Sequence, residues 1–190
     1  GRTGKMFAFD HAEVSPDIMC ISKGLTGGYM PMAITITTDK IYNAFYDDYN
    51  KGTAFMHSHT YSGNPLGCAC GLAVQKIFKE QNILQNAQKN AECLHSELSK
   101  RLGNHKNVGE IRHIGLINAI ELVQNKSTKE EFPSSIRLGY QIYQKALKRG
   151  LLLRPLGNVL YFNPPLIISP NEIDIAIDRC AKSIEDVLGR

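Results

Sequence analysis

No stretch of this 190-residue chain comes near the roughly 20 consecutive apolar residues that a membrane-spanning helix needs, and no basic-then-apolar segment opens it as a secretion signal would. A soluble, cytoplasmic protein with no membrane partner is expected. Charge of one sign is also scarce. The 22 basic and 18 acidic residues leave a net charge of +4, with no basic stripe interleaved with aromatics, so nucleic acid is not an expected partner. The five cysteines, Cys20, Cys68, Cys70, Cys93 and Cys180, form no C-x-x-C pair, and the six histidines lack H-x-x-x-H or H-E-x-x-H spacing. Neither a metal site nor a disulfide framework is expected, and the thiols read as reduced. Internal repeats and low-complexity tracts are absent as well.

What is present is a chain with 43% hydrophobic residues, enough to fill a core, and a pattern of alternating strands and helices. Ile18 to Ile21 follows a Ser-Pro-Asp turn signal and reads as a short apolar strand buried on both faces of a parallel sheet. Met32 to Thr38 reads as another strand, and Asp39 to Asp47 as a helix with Ile41, Ala44 and Phe45 on one face. Asn64-Pro65 starts a helix whose expected apolar face is Leu66, Ala69, Cys70, Ala73 and Ile77. From Asn82 to Leu102 the positions Leu84, Ala87, Ala91, Leu94, Leu98 and Leu102 keep a helical period, and this long helix is expected to bridge two domains.

Beyond it, strands are expected around Val108 to His113 and Leu116 to Val123, then a charged loop, then a helix carrying Ile136, Tyr140, Tyr143 and Leu147. Leu151 to Arg154 reads as an apolar strand ended by a charge, with Gly157-Asn158 turning into Val159 to Phe162. Ser169-Pro170-Asn171-Glu172 is a capping box that opens a last helix with Ile173, Ala176, Ile177, Cys180 and Ile184 buried. The architecture is α/β, in which ligands collect beyond the carboxyl ends of strands. Residues 1 to 82 are expected to form part of a large α/β domain, and 83 to 190 the long helix with a small α+β domain.

The chemistry is concentrated in "SKGLTGGYM", residues 22 to 30, where a lysine at a strand end is followed by Gly24, Gly27 and Gly28. Glycines there let backbone approach a bound group that side chains would obstruct. The spacing is neither G-x-G-x-x-G nor a Walker loop, so no nucleotide is indicated. A desolvated lysine amine is a nucleophile towards carbonyls, whereas an ordinary solvated lysine would be a surface charge. The segment from His57 to Gly63 is rich in hydrogen-bond donors and leads into a helix amino terminus, which attracts anions. Arg154 at the end of its strand suits either carboxylate binding or a structural ion pair.

Four runs in order, "GRTGKMFAFDHAEVSPDIMCISKGLTGGYMPMAITITT", "FMHSHTYSGNPLGCACG", "RHIGLINAIEL" and "LLLRPLGNVLYFNPPLIIS", resemble the class III aminotransferases that use pyridoxal 5'-phosphate. The resemblance covers essentially the whole chain. Within the family, "RPLGNVLYFNPP" resembles the branch that converts 7-keto-8-aminopelargonate to 7,8-diaminopelargonate in biotin biosynthesis. It implies the type I fold of pyridoxal-phosphate-dependent transferases, an amino donor and a keto acceptor as small-molecule substrates, and a homodimer with the active site at its interface.

The same resemblance assigns residues. Lys23 would hold the cofactor and act as the catalytic base towards substrate; His59 and Thr60 would contact the cofactor phosphate, Thr60 across the dimer; Ser58 and Arg154 would bind substrate, Arg154 through its carboxylate. Ser58-His59 stands where other members carry Gly-Pro, and the histidine resembles members that take lysine rather than S-adenosylmethionine as amino donor, so both donors stay open. The family's Asp-Glu pair lies upstream of the Gly-Arg-Thr-Gly run, and here nothing precedes Gly1. The chain is therefore expected to be a carboxyl-terminal fragment without activity alone. The alternatives are a class III enzyme acting on 4-aminobutyrate, acetylornithine or an ω-amino acid, and a non-catalytic α/β dimerisation module.

Overall fold

A computed structural model of the chain describes residues 1–189. Two compact units share the chain: Phe9–Asn82, and Gly1–Ala8 together with the residues from Ile83 onward. They are called here the lysine-bearing and the arginine-bearing unit.

The lysine-bearing unit holds strands β1 (Ile18–Ile21) and β2 (Ile34–Thr37), the short helix α1 (Asp39–Asn43) and the helix α2 (Pro65–Glu80). β1 pairs antiparallel with β2, Ile18 opposite Thr37 and Ile21 opposite Ile34. This corrects the reading of β1 as a strand buried in a parallel sheet: its residues alternate between exposed and half-buried, because β2 is its one partner among the described residues. α1 is shorter than expected and stops at Asn43. α2 begins where Asn64-Pro65 placed it, with the Asn64 side chain accepting from the Leu66 N–H at 3.0 Å. Its buried face is not the expected one. Gly67 and Gly71 are buried, while Leu66 and Ile77 are exposed. A Cβ at Gly67 would lie 3.0 Å from the Met32 sulfur, and one at Gly71 would lie 3.6 Å from the Leu25 carbonyl oxygen. The helix thus packs through its glycines, where backbone approaches most closely.

In the arginine-bearing unit, helix α3 (Ile83–Leu102) is followed by β3 (Val108–Ile114), β4 (Ile117–Asn125), the two-residue β5 (Glu130–Glu131), helix α4 (Leu138–Lys148), β6 (Arg154–Leu156), β7 (Val159–Phe162) and helix α5 (Pro170–Leu188). The sheet order is β3-β4-β7-β6, all antiparallel, with β5 on β4. α3 buries Ile83, Ala87, Ala91, Leu94, Leu98 and Leu102, and α5 buries Ile173, Ile177, Cys180, Ser183 and Ile184. All but Ile83 and Ser183 join Ile120, Leu122, Leu160 and Phe162 of the sheet in one apolar core. Burial pushes the Cys180 thiol up to about 12, so it serves there as an apolar filler.

Two elements differ from expectation. α4 begins at Leu138, so Ile136, expected on this helix, lies in the turn before it; α4 buries Leu138, Gly139, Ile142 and Ala146, and exposes Tyr140 and Leu147. The strand expected at Leu151 to Arg154 instead begins at Arg154. The Gly1–Ala8 segment docks on the β3–β4 turn. Leu116 N–H donates to the Arg2 carbonyl at 2.9 Å, Gln88 donates to the Gly4 carbonyl, and the Arg2 guanidinium reaches both the carbonyl and the side-chain oxygen of Asn163. Gly115, at φ +56°, has no room for a Cβ, which would lie 2.6 Å from the Gly4 nitrogen.

The capping box of α5 forms as expected. Ser169 N–H and hydroxyl both donate to Glu172 Oε2, at 2.8 and 2.7 Å, and Glu172 N–H donates to Ser169 Oγ at 3.3 Å. These bonds, first the backbone N–H and then the hydroxyl, hold the Glu172 carboxyl below its ordinary 4.5. A folded-state value below the unfolded one stabilises above about pH 4.5, and this contribution is lost as pH falls through the lowered value. Glu172→Gln is therefore expected to be less stable than the parent at pH 7 and to converge on it in acid, which denaturant melts at pH 7 and pH 3 would test. A constant gap between the two proteins would contradict the assignment. Ser169→Ala is expected to cost about 1 kcal/mol at neutral pH.

Candidate active site

Lys23 follows Ser22 at the carboxyl end of β1 and opens a 3-10 turn, Lys23–Thr26, that packs against α2. Its backbone is left-handed, at φ +51°, a conformation that costs a residue with a Cβ on the order of 1 kcal/mol. The turn is closed by Leu25 N–H to the Ser22 carbonyl at 3.2 Å and Gly27 N–H to the Gly24 carbonyl at 3.2 Å. Thr26, which the sequence reading did not single out, is buried, and its hydroxyl donates to the Met30 carbonyl at 2.5 Å. That bond fixes the course of the loop after the lysine. Its signal in the sequence was a lone polar residue between glycines, which pattern alone could not tell from a solvated turn.

The Lys23 side chain is exposed, so its desolvation is not supplied by its own unit. A Cβ at Gly24 or Gly28 would meet nothing within 4 Å, which leaves open space on both sides of the turn. In the same unit, Ser58, His59 and Thr60 are exposed on the segment leading into α2. His59 is held by its backbone and its ring. Its carbonyl accepts from Ser62 N–H at 2.9 Å, and its Nδ1 accepts from Tyr61 N–H at 3.2 Å. The 16-residue α2 directs its amino terminus to this segment.

Arg154 is the first residue of β6, exposed, in the other unit. Among the described residues its guanidinium has no ion pair or hydrogen bond, so the structural ion pair weighed as an alternative is not formed. Among the described residues, no group of three or more His, Cys, Asp or Glu side chains could hold a metal, and no helix is long and apolar enough to cross a membrane.

The lysine-bearing unit thus carries an exposed amine in a left-handed turn and a donor-rich segment before a helix, and the arginine-bearing unit carries an exposed guanidinium at the start of a strand. The chain belongs to the class III aminotransferases: the sequence pattern of the family described as Aminotransferase class-III matches residues 1–184. Among its relatives, the adenosylmethionine-8-amino-7-oxononanoate aminotransferase of Methanocaldococcus jannaschii is 43% identical over 190 residues, covering 98% of this chain and 41% of the relative. The protein of the same name from Geobacter sulfurreducens is 43% identical over 189 residues, covering 100% of this chain and 42% of the relative. The crystal structure of the Methanocaldococcus jannaschii enzyme superposes with a TM-score of 0.89 at 42% identity, over 99% of this chain and 44% of that one. The fold is thus the α/β arrangement of the pyridoxal-phosphate-dependent aminotransferases, as the sequence motifs implied. The chain spans about two-fifths of the length of these curated relatives.

Proposed function

We propose that this chain is the carboxyl-terminal portion of a cytoplasmic, homodimeric aminotransferase that uses pyridoxal 5'-phosphate to convert 7-keto-8-aminopelargonate to 7,8-diaminopelargonate in biotin biosynthesis. The observation that carries the reading is Lys23, exposed in a left-handed turn at a strand end with open space beside Gly24 and Gly28. That space and that amine fit a planar aldehyde cofactor. When bound, the cofactor supplies a ring that accepts electrons from the carbon whose proton is moved.

In this reading Lys23 binds the cofactor through its amine and afterwards acts as a base at Nζ. It takes the proton from the amine-bearing carbon of the donor, and in the second half-reaction delivers one to the carbon that was the acceptor's ketone. The donor leaves as a keto compound and its nitrogen passes to the acceptor. Thr60 donates its hydroxyl to the cofactor phosphate of the partner subunit, His59 lines the same contact, and Ser58 borders the substrate. Arg154 binds the acceptor's carboxylate with its planar fork. Residues 1 to 82 complete the large domain in this reading, and 83 to 190 supply the long helix and the small domain. Lys23 is exposed within its own unit, so in this reading the walls that enclose it belong to the rest of the complete protein. Tyr29, Tyr49, Met56 and Tyr61 are all more than 70% exposed on the lysine-bearing unit, a surface that suits a dimer contact.

The test is turnover of 7-keto-8-aminopelargonate by the complete polypeptide that carries this chain, with S-adenosylmethionine and lysine offered separately as donors. Formation of 7,8-diaminopelargonate with either donor is expected, and none from the 190-residue chain alone. Turnover of 4-aminobutyrate, acetylornithine or another ω-amino acid with no reaction of 7-keto-8-aminopelargonate would move the protein to another branch of the family. Failure of the complete polypeptide to bind the cofactor would favour a dimerisation module without catalysis.

A further inference from the structure

The sheet of the arginine-bearing unit has two unlike faces. Asn118, Ile120, Leu160 and Phe162 point into the core beneath the helices, so Ala119, Tyr161 and Arg154, which alternate with them or stand opposite to those that do, lie on the other face. The register lines up one row across that face. Arg154 is directly opposite Tyr161, Tyr161 is opposite Ala119, and Ala119 is opposite Arg112. Directly opposed residues in an antiparallel pair hold their Cβ atoms about 5 Å apart, so neighbours in the row are in reach of one another.

The row is not symmetric in charge. At one end Arg112 is neutralised by Glu121 at 2.6 Å and Glu110 at 3.6 Å. At the other end the Arg154 guanidinium and the hydroxyl of Tyr161, the residue opposite it in register, have no partner among the described residues. Between the two ends stands Ala119, the smallest side chain of the row. A carboxylate is drawn to the Arg154 end, and once two of its lone pairs are taken by the guanidinium fork, others stay open to a third donor. Tyr161 is the residue placed to give it, and its half-buried ring offers an apolar flank to the carbons that follow.

We propose that Tyr161 is a specificity-determining residue that shares with Arg154 the binding of the acceptor's terminal carboxylate. The inference rests on the reading of Arg154 given above. It is tested in the complete enzyme with Tyr161→Phe, which removes the hydroxyl and keeps the ring, and Arg154→Ala as a reference. Tyr161→Phe is expected to raise KM for 7-keto-8-aminopelargonate about tenfold, the worth of one hydrogen bond to a charged group, and to leave KM for the amino donor unchanged. The methyl ester of the acceptor, which has no carboxylate charge, should be handled equally by the parent and by Tyr161→Phe. A purely structural role for the phenol would not produce that equality.

If Arg154→Ala raises the acceptor KM and Tyr161→Phe does not, the inference about Tyr161 is overturned while the reading of Arg154 stands. If neither changes it, both fall. A Tyr161→Phe defect of equal size on the ester, or on the donor, also overturns the inference.

Discussion

Lys23→Ala in the complete enzyme is expected to lower transamination turnover by about a thousandfold, the range in which a positioned general base contributes. Lys23→Arg should lose as much, because a guanidinium keeps the positive charge but cannot give up its proton to become a base or a nucleophile. The two variants together separate charge from chemistry. In the 190-residue chain neither should disturb folding by more than about 0.5 kcal/mol, since the side chain is exposed there. The backbone supports the same view from another side. A lysine held at φ +51° is a conformation that glycine would adopt without cost, yet the turn keeps the amine there and spends its glycines at positions 24, 27 and 28. Small primary amines added to the Lys23→Ala protein should restore part of the turnover, as they replace the missing proton carrier. Turnover within tenfold of the parent, or no response to added amine, would remove Lys23 from the reaction.

The parts of the fold that were legible in the sequence are those where one residue type can do only one thing. Ser169 to Glu172 carries a reciprocal cap that has no other use, and the α3 stripe from Ala87 to Leu102 repeats at a period only a helix satisfies. The face of α2 was not legible for a physical reason. It is built from Gly67 and Gly71, and glycine counts for nothing in a hydrophobic pattern, so the expected stripe runs through the larger apolar residues beside them. Close approach of backbone is a tertiary fact.

The candidate site divides in the same way. Lys23 at a strand end among glycines was readable, because the residue types state a chemistry. Its exposure was not, since burial depends on what covers the turn rather than on what composes it. Arg154 was found as a charge terminating an apolar run, although the strand proved to start there and not to end there. Tyr161 could not be connected to Arg154 at all. Six residues separate them in the chain, and only the register of β6 on β7 makes them neighbours.

Gly139→Ala is expected to be among the most damaging single-methyl changes in the arginine-bearing unit. Glycine to alanine inside a helix ordinarily stabilises by roughly 1 kcal/mol, so a loss here would reverse the usual sign. The cause is backbone, not side chain. A Cβ on Gly139 would overlap the Gly157 carbonyl oxygen and lie 2.8 Å from Pro155 Cβ, and neither the β6–β7 turn nor a proline ring can yield by rotating a bond. Overpacking of this kind costs about 1 to 3 kcal/mol, which in a protein of this size lowers Tm by roughly 3 to 10 °C. Leu147→Ala on the exposed face of the same helix should stay within about 0.5 kcal/mol and serves as the control. The functional consequence follows from what the turn carries. Pro155 is flanked by Arg154 on β6, and Tyr161 lies across from that arginine, so a turn pushed off α4 moves the pair proposed to bind the acceptor's carboxylate. In the complete enzyme Gly139→Ala should therefore raise KM for the keto acceptor and leave KM for the donor and the reducible bond between Lys23 and cofactor as they were. Loss of stability with an unchanged acceptor KM would mean that β6 holds Arg154 independently of α4.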